Sequence, residues 1–199
     1  MNPPISPSRA NADAHLVARC RDGDLSAFDE LMAQHQNRVF NLCLWLLRDH
    51  DAARDAAQDV FIRAFRGLKN FRGDCAFSTW LHRIAVNVAN DSHQRRKRTP
   101  QPLSELETED GDAPEAVDHG DDPAAASARR ERRMAVRRAL LELSEPHRVV
   151  LVLFDIEGHA YEDICAILQL PIGTVKSRLN RARAALRDKL EPCRELFEA

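Results

Sequence analysis

The segment Tyr161–Leu190 constrains the fold of this chain most strongly, because it contains two short helical patterns separated by a sharp break. Apolar residues recur at helical spacing before the break. Pro171 lies at the start of the second pattern, where a proline fits the first turn of a helix. The second helix is predicted to bury Val175, Leu179, Ala182 and Leu186. The segment therefore predicts a helix–turn–helix.

The face of the second helix opposite that apolar stripe is predicted to be polar and basic. Its candidate DNA-contacting residues are Lys176, Ser177, Arg178, Asn180 and Arg181. From Lys176 to Lys189 the sequence holds six cations and one acid. In a major groove arginine can read guanine and asparagine can read adenine, while flanking cations bind phosphates. This pattern predicts a DNA-reading helix; the alternative is an αα-hairpin whose basic side is only solvated.

Composition narrows the class of protein. The chain has 199 residues, of which 44% are hydrophobic and 30% charged, and helix-forming residues dominate. No apolar run approaches the ~18 residues that cross a bilayer, and the N-terminus lacks the apolar segment of a signal peptide. Five scattered cysteines without a CxxC argue against a disulfide framework. We expect a reduced, cytoplasmic, all-α protein with no insertion into a membrane.

Four helices are predicted in the N-terminal half. Residues 1–12 are rich in proline and serine and are expected to be disordered. A short helix follows from Asp13, and Asp24 and Asp51 are predicted to cap the next two. The outer face of the third helix carries Asp55, Gln58, Asp59 and Arg63. Two of these acids lie one turn apart, but without further ligands nearby a solvated or partner-facing rim is favoured over a metal site.

A loop and the fourth helix, up to residue 98, combine aromatic, amide and basic side chains. Phe71 and Phe77 flank the loop, and Asn87 and Asn90 lie along the helix, which ends in a basic cluster beginning at Arg95 and Arg96. Such a combination suits single-stranded DNA, because bases stack on rings while cations follow the backbone. The alternatives are that the aromatic rings belong to the core and that the basic end only complements the helix dipole.

An acidic stretch separates this domain from a second one. Between Ser104 and Asp122 there are nine acids and no lysine or arginine, which predicts a flexible linker over residues 99–127. The second domain contains VVLVLF at residues 149–154, which we interpret as a buried helix because of its position between helix caps. The predicted fold is two small helical domains, 13–98 and 128–195, joined by the acidic linker.

Three long motifs resemble the bacterial extracytoplasmic-function (ECF) sigma factors of the sigma-70 family. They are DAARDAAQDVFIRAF, FRGDCAFSTWLHRIAVNVAND and LSEPHRVVLVLFDIEGHAYEDICAILQLPIGTVKSRLNRARAAL. The resemblance covers both domains in order. It implies that the first, a sigma-2 domain, binds the clamp helices of core RNA polymerase and melts the −10 element. It implies that the second, a sigma-4 domain, binds the polymerase flap and reads the −35 element.

The resemblance also implies a role for each candidate residue. The clamp-binding helix carries Asp55, Gln58, Asp59 and Arg63. The −10 region carries Phe71, Asp74, Phe77, Asn87 and Asn90, with Arg95 and Arg96 at its basic end. The −35 reading helix carries Lys176, Ser177, Arg178, Asn180 and Arg181. The acidic linker is implied to enter the positive interior channel of the polymerase.

The function implied is promoter-specific transcription initiation in a stress or envelope response. The implied partners are core RNA polymerase, promoter DNA and an anti-sigma factor. We expect no enzymatic activity, no cofactor and no metal, because the sequence lacks a glycine-rich phosphate loop, a nucleophile–base pair and a metal-ligand set. Two alternatives remain open: a DNA-binding regulator that acts without polymerase, and a metal or redox sensor that uses some of the eight histidines and five cysteines.

Overall fold

The computed structural model describes residues 7–98 and 123–197, and these are helical throughout apart from short connections, with no strand in either range. The N-terminal helices are α1 (Pro7–Arg21), α2 (Leu25–Leu47), α3 (His50–Gly67) and α4 (Phe77–Arg98). The C-terminal helices are α5 (Pro123–Glu142), α6 (Glu145–Leu151), α7 (Tyr161–Leu168) and α8 (Ile172–Leu190). Shorter turns follow α3, α6 and α8, at Leu68–Asn70 (3-10), Val152–Ile156 (π) and Glu191–Phe197 (3-10). The all-α prediction is confirmed.

α2 is the central helix of the N-terminal domain, and α1, α3 and α4 all pack against it. Its second half is buried at Val39, Leu42, Cys43, Leu46 and Leu47. The predicted cap at Asp24 is confirmed, since its carboxylate accepts hydrogen bonds from the backbone N–H groups of Ser26 and Ala27. Hydrogen bonds from Ser26 and Arg19 lower the pKa of Asp24 to about 2.

One predicted helix cap is wrong. Asp49, not Asp51, caps α3: its extended backbone lets the carboxylate accept the Ala52 N–H at 2.8 Å. Asp51 lies inside the first turn, where its side chain pairs with Arg54 at 3.2 Å instead.

Two helices begin earlier than predicted. α1 starts at Pro7, so residues 7–12, predicted to be disordered, are helical. α5 starts at Pro123, so residues 123–127 belong to a helix rather than to the predicted linker. Both added segments contain alanine, the residue with the highest helix propensity. The rest of the predicted linker, residues 99–122, lies outside the described residues.

α6, α7 and α8 enclose the core of the C-terminal domain. The VVLVLF segment is helical, as predicted, and Val149, Val150, Leu151, Val152 and Leu153 are buried. Three of the four predicted core residues of α8 are buried, and the fourth, Leu186, is half-buried. Pro171 is the residue just before α8 rather than part of its first turn. None of the helices in the described ranges combines the length and apolarity needed to cross a bilayer.

The two domains contact each other through α4 with α7 and through α2 with α6. Arg148 of α6 is only 2% exposed, and its Nε donates to the Trp45 carbonyl at 2.8 Å. The last carbonyls of a helix have no partner within it, so Arg148 satisfies one at the end of α2. In the other direction, Arg48 at the end of α2 donates to the Leu143 carbonyl at 3.0 Å. Hydrogen bonds therefore cross the contact both ways.

Candidate DNA and polymerase interface

The predicted reading helix is α8, and it presents its polar face to solvent. Lys176, Ser177, Asn180 and Arg181 are exposed, while Arg178 is half-buried. Ser177, Asn180 and Arg181 lie three and four residues apart and so share one face. The buried stripe at Val175, Leu179 and Ala182 fixes that face outward. This geometry presents hydrogen-bonding groups as a groove-reading helix must.

Neighbouring contacts hold the cations at both ends of this face. The Lys176 ammonium lies 5.5 Å from the centre of the Tyr161 ring on α7. Arg183 donates to the Asp155 carboxylate at 2.7 Å and lies over the Phe154 ring. The Ser177 hydroxyl donates to the Thr174 carbonyl at 3.1 Å, within its own helix. α7 and the π turn therefore orient the edges of the basic face.

The predicted aromatic contacts for single-stranded DNA are buried in this arrangement. Phe71 and Phe77 are 9% and 4% exposed. Their ring centres lie 6.0 Å apart, and both contact Trp80. His35 lies at the edge of this aromatic cluster, and its ring centre is 5.4 Å from that of Phe77. In this conformation the rings pack as core, and their contact with DNA stays a prediction.

The polar candidates in the same region are accessible. Asp74, Asn87, Asn90 and Arg95 are all exposed, whereas the side chain of Arg96 lies outside the described residues. Gly73 next to Asp74 has φ +80° and open space where a Cβ would be, so the turn favours glycine for its backbone conformation alone. The loop and helix thus present one acid, two amides and one cation along an exposed edge.

The predicted polymerase-binding residues on α3 divide into two groups. Asp55 and Gln58 are exposed. Asp59 and Arg63 are half-buried and form an ion pair at 2.9 Å, and Arg63 also bonds Asp91 of α4 at 2.9 Å. These hydrogen bonds raise the pKa of Arg63 above its ordinary value. The Arg63–Asp91 ion pair therefore joins α3 to α4, in addition to any contact of these residues with a partner.

An apolar groove between α2 and α3 was not predicted from the sequence. Its volume is about 850 Å³, and its lining includes Phe28, Met32, Phe40, Phe61, Ile62 and Phe65, with Gln58 and Arg54 among its polar members. Phe65 is 48% exposed, and Ile62 is 41% exposed. Large exposed apolar side chains of this kind are typical of sites that bind another protein, a membrane or a ligand. A second apolar stripe on α3, at residues 57, 61, 62 and 65, is the signal that could have revealed it.

The cysteines of the described part of the chain form no disulfide. Burial raises the pKa of the Cys20 and Cys75 thiols, and it raises the pKa of Cys43, in the C-terminal third of α2, to about 12. The reactive form of a thiol is the thiolate, so burial suppresses reactivity most strongly at Cys43.

We expect alkylation of Cys43 in the native protein at pH 8 to be at least about 100-fold slower than in urea, since three pKa units separate its thiolate populations by roughly 1,000-fold. Mass spectrometry after timed iodoacetamide treatment measures the rate, and Cys193 serves as a half-exposed reference in the same chain. A native rate within tenfold of the unfolded rate would contradict the burial argument and revive the redox-sensor alternative.

Comparison with known proteins identifies the family of this chain. The profile described as "Sigma-70 region 2" matches residues 31–99, and the profile "Sigma-70, region 4" matches residues 133–186. The RNA polymerase sigma-H factor of Pseudomonas aeruginosa is 41% identical over 184 residues, which cover 90% of this chain and 94% of that protein. The ECF RNA polymerase sigma-E factor of Escherichia coli K12 is 37% identical over 182 residues, covering 90% and 95%.

Solved structures share the fold. CnrH in complex with the cytosolic domain of CnrY superposes with a TM-score of 0.65 at 27% identity, covering 91% of this chain and 98% of that one. The sigma factor RpoE of Bartonella quintana, solved with the anti-sigma factor NepR, gives 0.63 at 23% identity, covering 82% and 96%. With two matching sigma-70 regions and relatives that span nearly its whole length, the chain belongs to the ECF group of the sigma-70 family of RNA polymerase sigma factors.

Proposed function

We propose that this chain directs core RNA polymerase to promoters through three separate surfaces. The α2–α3 groove binds the polymerase clamp, the segment from Phe71 to Arg98 engages the −10 element, and α8 reads the −35 element. The observation that carries the proposal is that one chain presents both an exposed basic helix of a helix–turn–helix and an exposed apolar groove. A stand-alone DNA-binding regulator needs the helix but gives no role to the groove.

The family matches support the proposed division into two domains. The proposed sigma-2 domain contains residues 13–98, and the proposed sigma-4 domain contains residues 128–195 together with the helical residues 123–127, which leaves residues 99–122 between them. The matches to region 2 and region 4 lie within or within one residue of these bounds. The described helices α1 and α5 extend each domain towards its N-terminus. Two weakly binding modules joined by a tether bind strongly together when a third molecule sets their spacing, and the polymerase supplies that spacing.

The groove suits the clamp because of its chemistry. Its apolar floor is bordered by the polar side chains of Gln58, Arg54 and Arg66, which matches the usual plan of an apolar core with a polar rim. Asp55 extends the rim as an exposed acid on the same helix. Asp59 and Arg63 act more by holding this helix in place. Asp59 pairs with Arg63, and Arg63 pairs with Asp91 of α4.

On α8 the positions divide between base and phosphate contacts. Asn180 and Arg181 lie at the centre of the exposed face and are the candidates for base edges. Lys176 and Arg178 lie nearer its edges and suit phosphates. Arg183 is held beside the same face by Asp155, and this ion pair offsets its positive charge.

Arg181→Ala is expected to lower transcription from the cognate promoter about tenfold, equivalent to about 1.4 kcal/mol of lost binding. Multiple-round run-off transcription at fixed polymerase concentration measures the loss. Arg187→Ala removes an exposed cation from the last turn of the same helix and is expected to change transcription less than twofold. Equal losses in the two variants would mean that α8 contributes only general positive charge.

The direct test of the proposed function is run-off transcription with sigma-free bacterial core polymerase on a genomic fragment library, with core alone as the control. Discrete new transcripts are expected, and their start sites give the −35 and −10 sequences. The absence of transcripts, together with failure of the protein to co-migrate with core polymerase on a sizing column, would favour a regulator that acts on DNA alone.

Regulation by a protein inhibitor completes the proposal. The resemblance implies an anti-sigma factor and a stress or envelope response, and the similar structure of CnrH contains a bound protein domain. We place the protein in the cytoplasm with the polymerase, and all catalysis belongs to the polymerase.

A further inference from the structure

A buried pair of histidines lies where the two domains meet. His82 is on α4 and His159 is just before α7, and they are 1% and 2% exposed. The His82 Nδ1 and the His159 Nε2 are 2.6 Å apart. Close by, the Thr79 hydroxyl of α4 donates to the Asp163 carboxylate of α7 at 3.0 Å. The contact between the domains therefore includes a direct ring-to-ring hydrogen bond.

The π turn after α6 positions His159. The Glu157 N–H donates to the Val152 carbonyl and the His159 N–H to the Leu153 carbonyl, each at 2.9 Å. Gly158 between them has φ +74°, a conformation that glycine adopts without strain. These backbone bonds fix His159 in the contact independently of its ring.

Only the neutral form of the pair suits this site. The bond needs one donor and one acceptor, so exactly one hydrogen lies between the rings. The outer nitrogens, His82 Nε2 and His159 Nδ1, are buried and without a partner in the described structure. With either assignment of tautomers one outer nitrogen already carries an unpaired hydrogen. A further proton adds a second unpaired N–H together with a buried charge, which is costly.

The charges around the pair come from several elements. α2 contributes His35, which is bonded to Asp13 of α1 at 3.1 Å, and Arg38. α7 contributes Asp163, and the loop of His159 contributes Glu157. Burial, then His159, His35 and Arg38, lowers the pKa of His82 well below its ordinary value. Burial also lowers the pKa of His159, with Arg38 acting in the same direction and Asp163 against it.

This closed arrangement cannot engage both promoter elements at once. α4 and α8 both contact α7, and packed helix axes lie about 8–10 Å apart, so the two DNA-binding helices are within roughly 20 Å. Elements centred near −10 and −35 are separated by about 25 base pairs, or roughly 85 Å of duplex. The domains must separate for the sigma factor to act.

We propose that the His82–His159 pair is a pH-sensitive lock, which holds the two domains together while both rings are neutral and releases them when the rings are protonated. When the domains separate, both rings meet water and regain their ordinary affinity for protons. Because the closed form depresses the pKa of each ring, the stability that the rings give it is fully present above about pH 6.5. Below that pH each ring shifts the balance towards the open form by up to about tenfold per pH unit, until the pH reaches the pKa of that ring in the closed form.

Glu157 acts in the opposite direction. Burial raises its pKa to about 7, against an ordinary value of 4.5. Between those two values the closed form holds a proton that the open form releases, so Glu157 stabilises the closed form as the pH falls. The rings take up at most two protons when the domains separate and Glu157 releases one, so the net uptake is at most one. The ratio of closed to open protein is therefore expected to fall by up to about tenfold per pH unit below pH 6.5.

Small-angle X-ray scattering of the reduced full-length chain from pH 8.0 to 5.0, at constant ionic strength, tests the lock. The radius of gyration is expected to increase as the pH falls below 6.5, with the change from one-tenth to nine-tenths open spanning about two pH units or more. Far-UV circular dichroism over the same range should show unchanged helicity. A constant radius, or helicity lost at the same pH as the expansion, would overturn the proposal, and neither readout depends on DNA or polymerase.

Variants distinguish the effect of the His82–His159 pair from the opposing effect of Glu157. Glu157→Gln is expected to sharpen the transition, because the rings then take up protons without Glu157 releasing one. The double variant His82→Phe/His159→Leu is expected to lose the acid-induced expansion, while His15→Gln, at an exposed position in α1, should keep it. An expansion that survives in the double variant would overturn the proposal. If the double variant does not fold, the Glu157→Gln transition decides, since an unchanged width there contradicts the opposing role of Glu157 and with it the proton count.

Discussion

Replacing Arg148 with methionine is expected to lower the free energy of unfolding by about 3 kcal/mol at pH 7.5. The guanidinium is buried, and besides Trp45 it donates to the Leu143 carbonyl at 2.9 Å and the Leu46 carbonyl at 3.3 Å. Burial and the neighbouring Arg48 lower its pKa only to about 10, so it remains a charged donor at neutral pH. Methionine fills a similar volume but removes the Arg148 donor from the Trp45 carbonyl, and it leaves the Leu143 carbonyl with Arg48 and the Leu46 carbonyl with His93 as the remaining side-chain partners. Urea unfolding followed by tryptophan fluorescence measures the change.

Two comparison variants make this result specific. Arg133→Met removes an exposed arginine from α5 and is expected to change stability by less than about 0.5 kcal/mol. Arg48→Met removes a single hydrogen bond across the contact and should cost about 1 kcal/mol. A loss below 1 kcal/mol for Arg148→Met would show that water or a shifted side chain replaces the guanidinium at these carbonyls.

Phe65→Asp is expected to weaken binding to core polymerase about 100-fold. The ring lines the α2–α3 groove, in an edge-to-face contact with Phe28 at 5.0 Å between ring centres. Aromatic anchors at the centre of an interface contribute 2 kcal/mol or more, and a buried carboxylate adds a desolvation cost. Fluorescence anisotropy of the labelled chain against core polymerase measures the dissociation constant.

The fold itself is expected to tolerate this change, because nearly half of the Phe65 side chain is already in water. Leu25→Asp is the matched control: Leu25 is 65% exposed at the start of α2 and does not line the groove. It should bind polymerase within twofold of the parent chain. Equal affinity of Phe65→Asp and Leu25→Asp would remove the groove from the proposed polymerase interface.

Local chemistry made much of this fold predictable. The span of α2 and the cap at Asp24 follow from a carboxylate placed before an apolar helical pattern. The buried stripe of α8 follows from periodicity alone. The cap of α3 was predicted two residues late, because Asp49 and Asp51 are both suitable residues and only the extended backbone at Asp49 decides between them.

Features that depend on how the helices pack against one another could not be predicted from local sequence patterns. Phe65 fits an inward position by spacing, but none of the helices in the described ranges covers it, so its ring lines an open groove. His82 and His159 are 77 residues apart, and nothing in either local pattern indicates that they meet. Arg148 was unremarkable in the sequence, since its partners are main-chain carbonyls, which every residue possesses. The candidate DNA contacts on α8 were accessible to sequence reasoning because they belong to a single helix.

The two ends of α2 contribute to different surfaces of the protein, so this one helix connects the groove with the contact between the domains. Phe28 and Met32 in its first half line the groove, and the carbonyls of Trp45 and Leu46 at its far end receive Arg148. Its 23 residues make a rod of roughly 35 Å. Thermodynamic linkage is reciprocal: a protein that binds the groove more tightly when the domains are apart must raise the pH at which they separate. Acidification must then strengthen the binding of that protein by the same factor, so cellular pH and partner concentration become interchangeable inputs to one equilibrium.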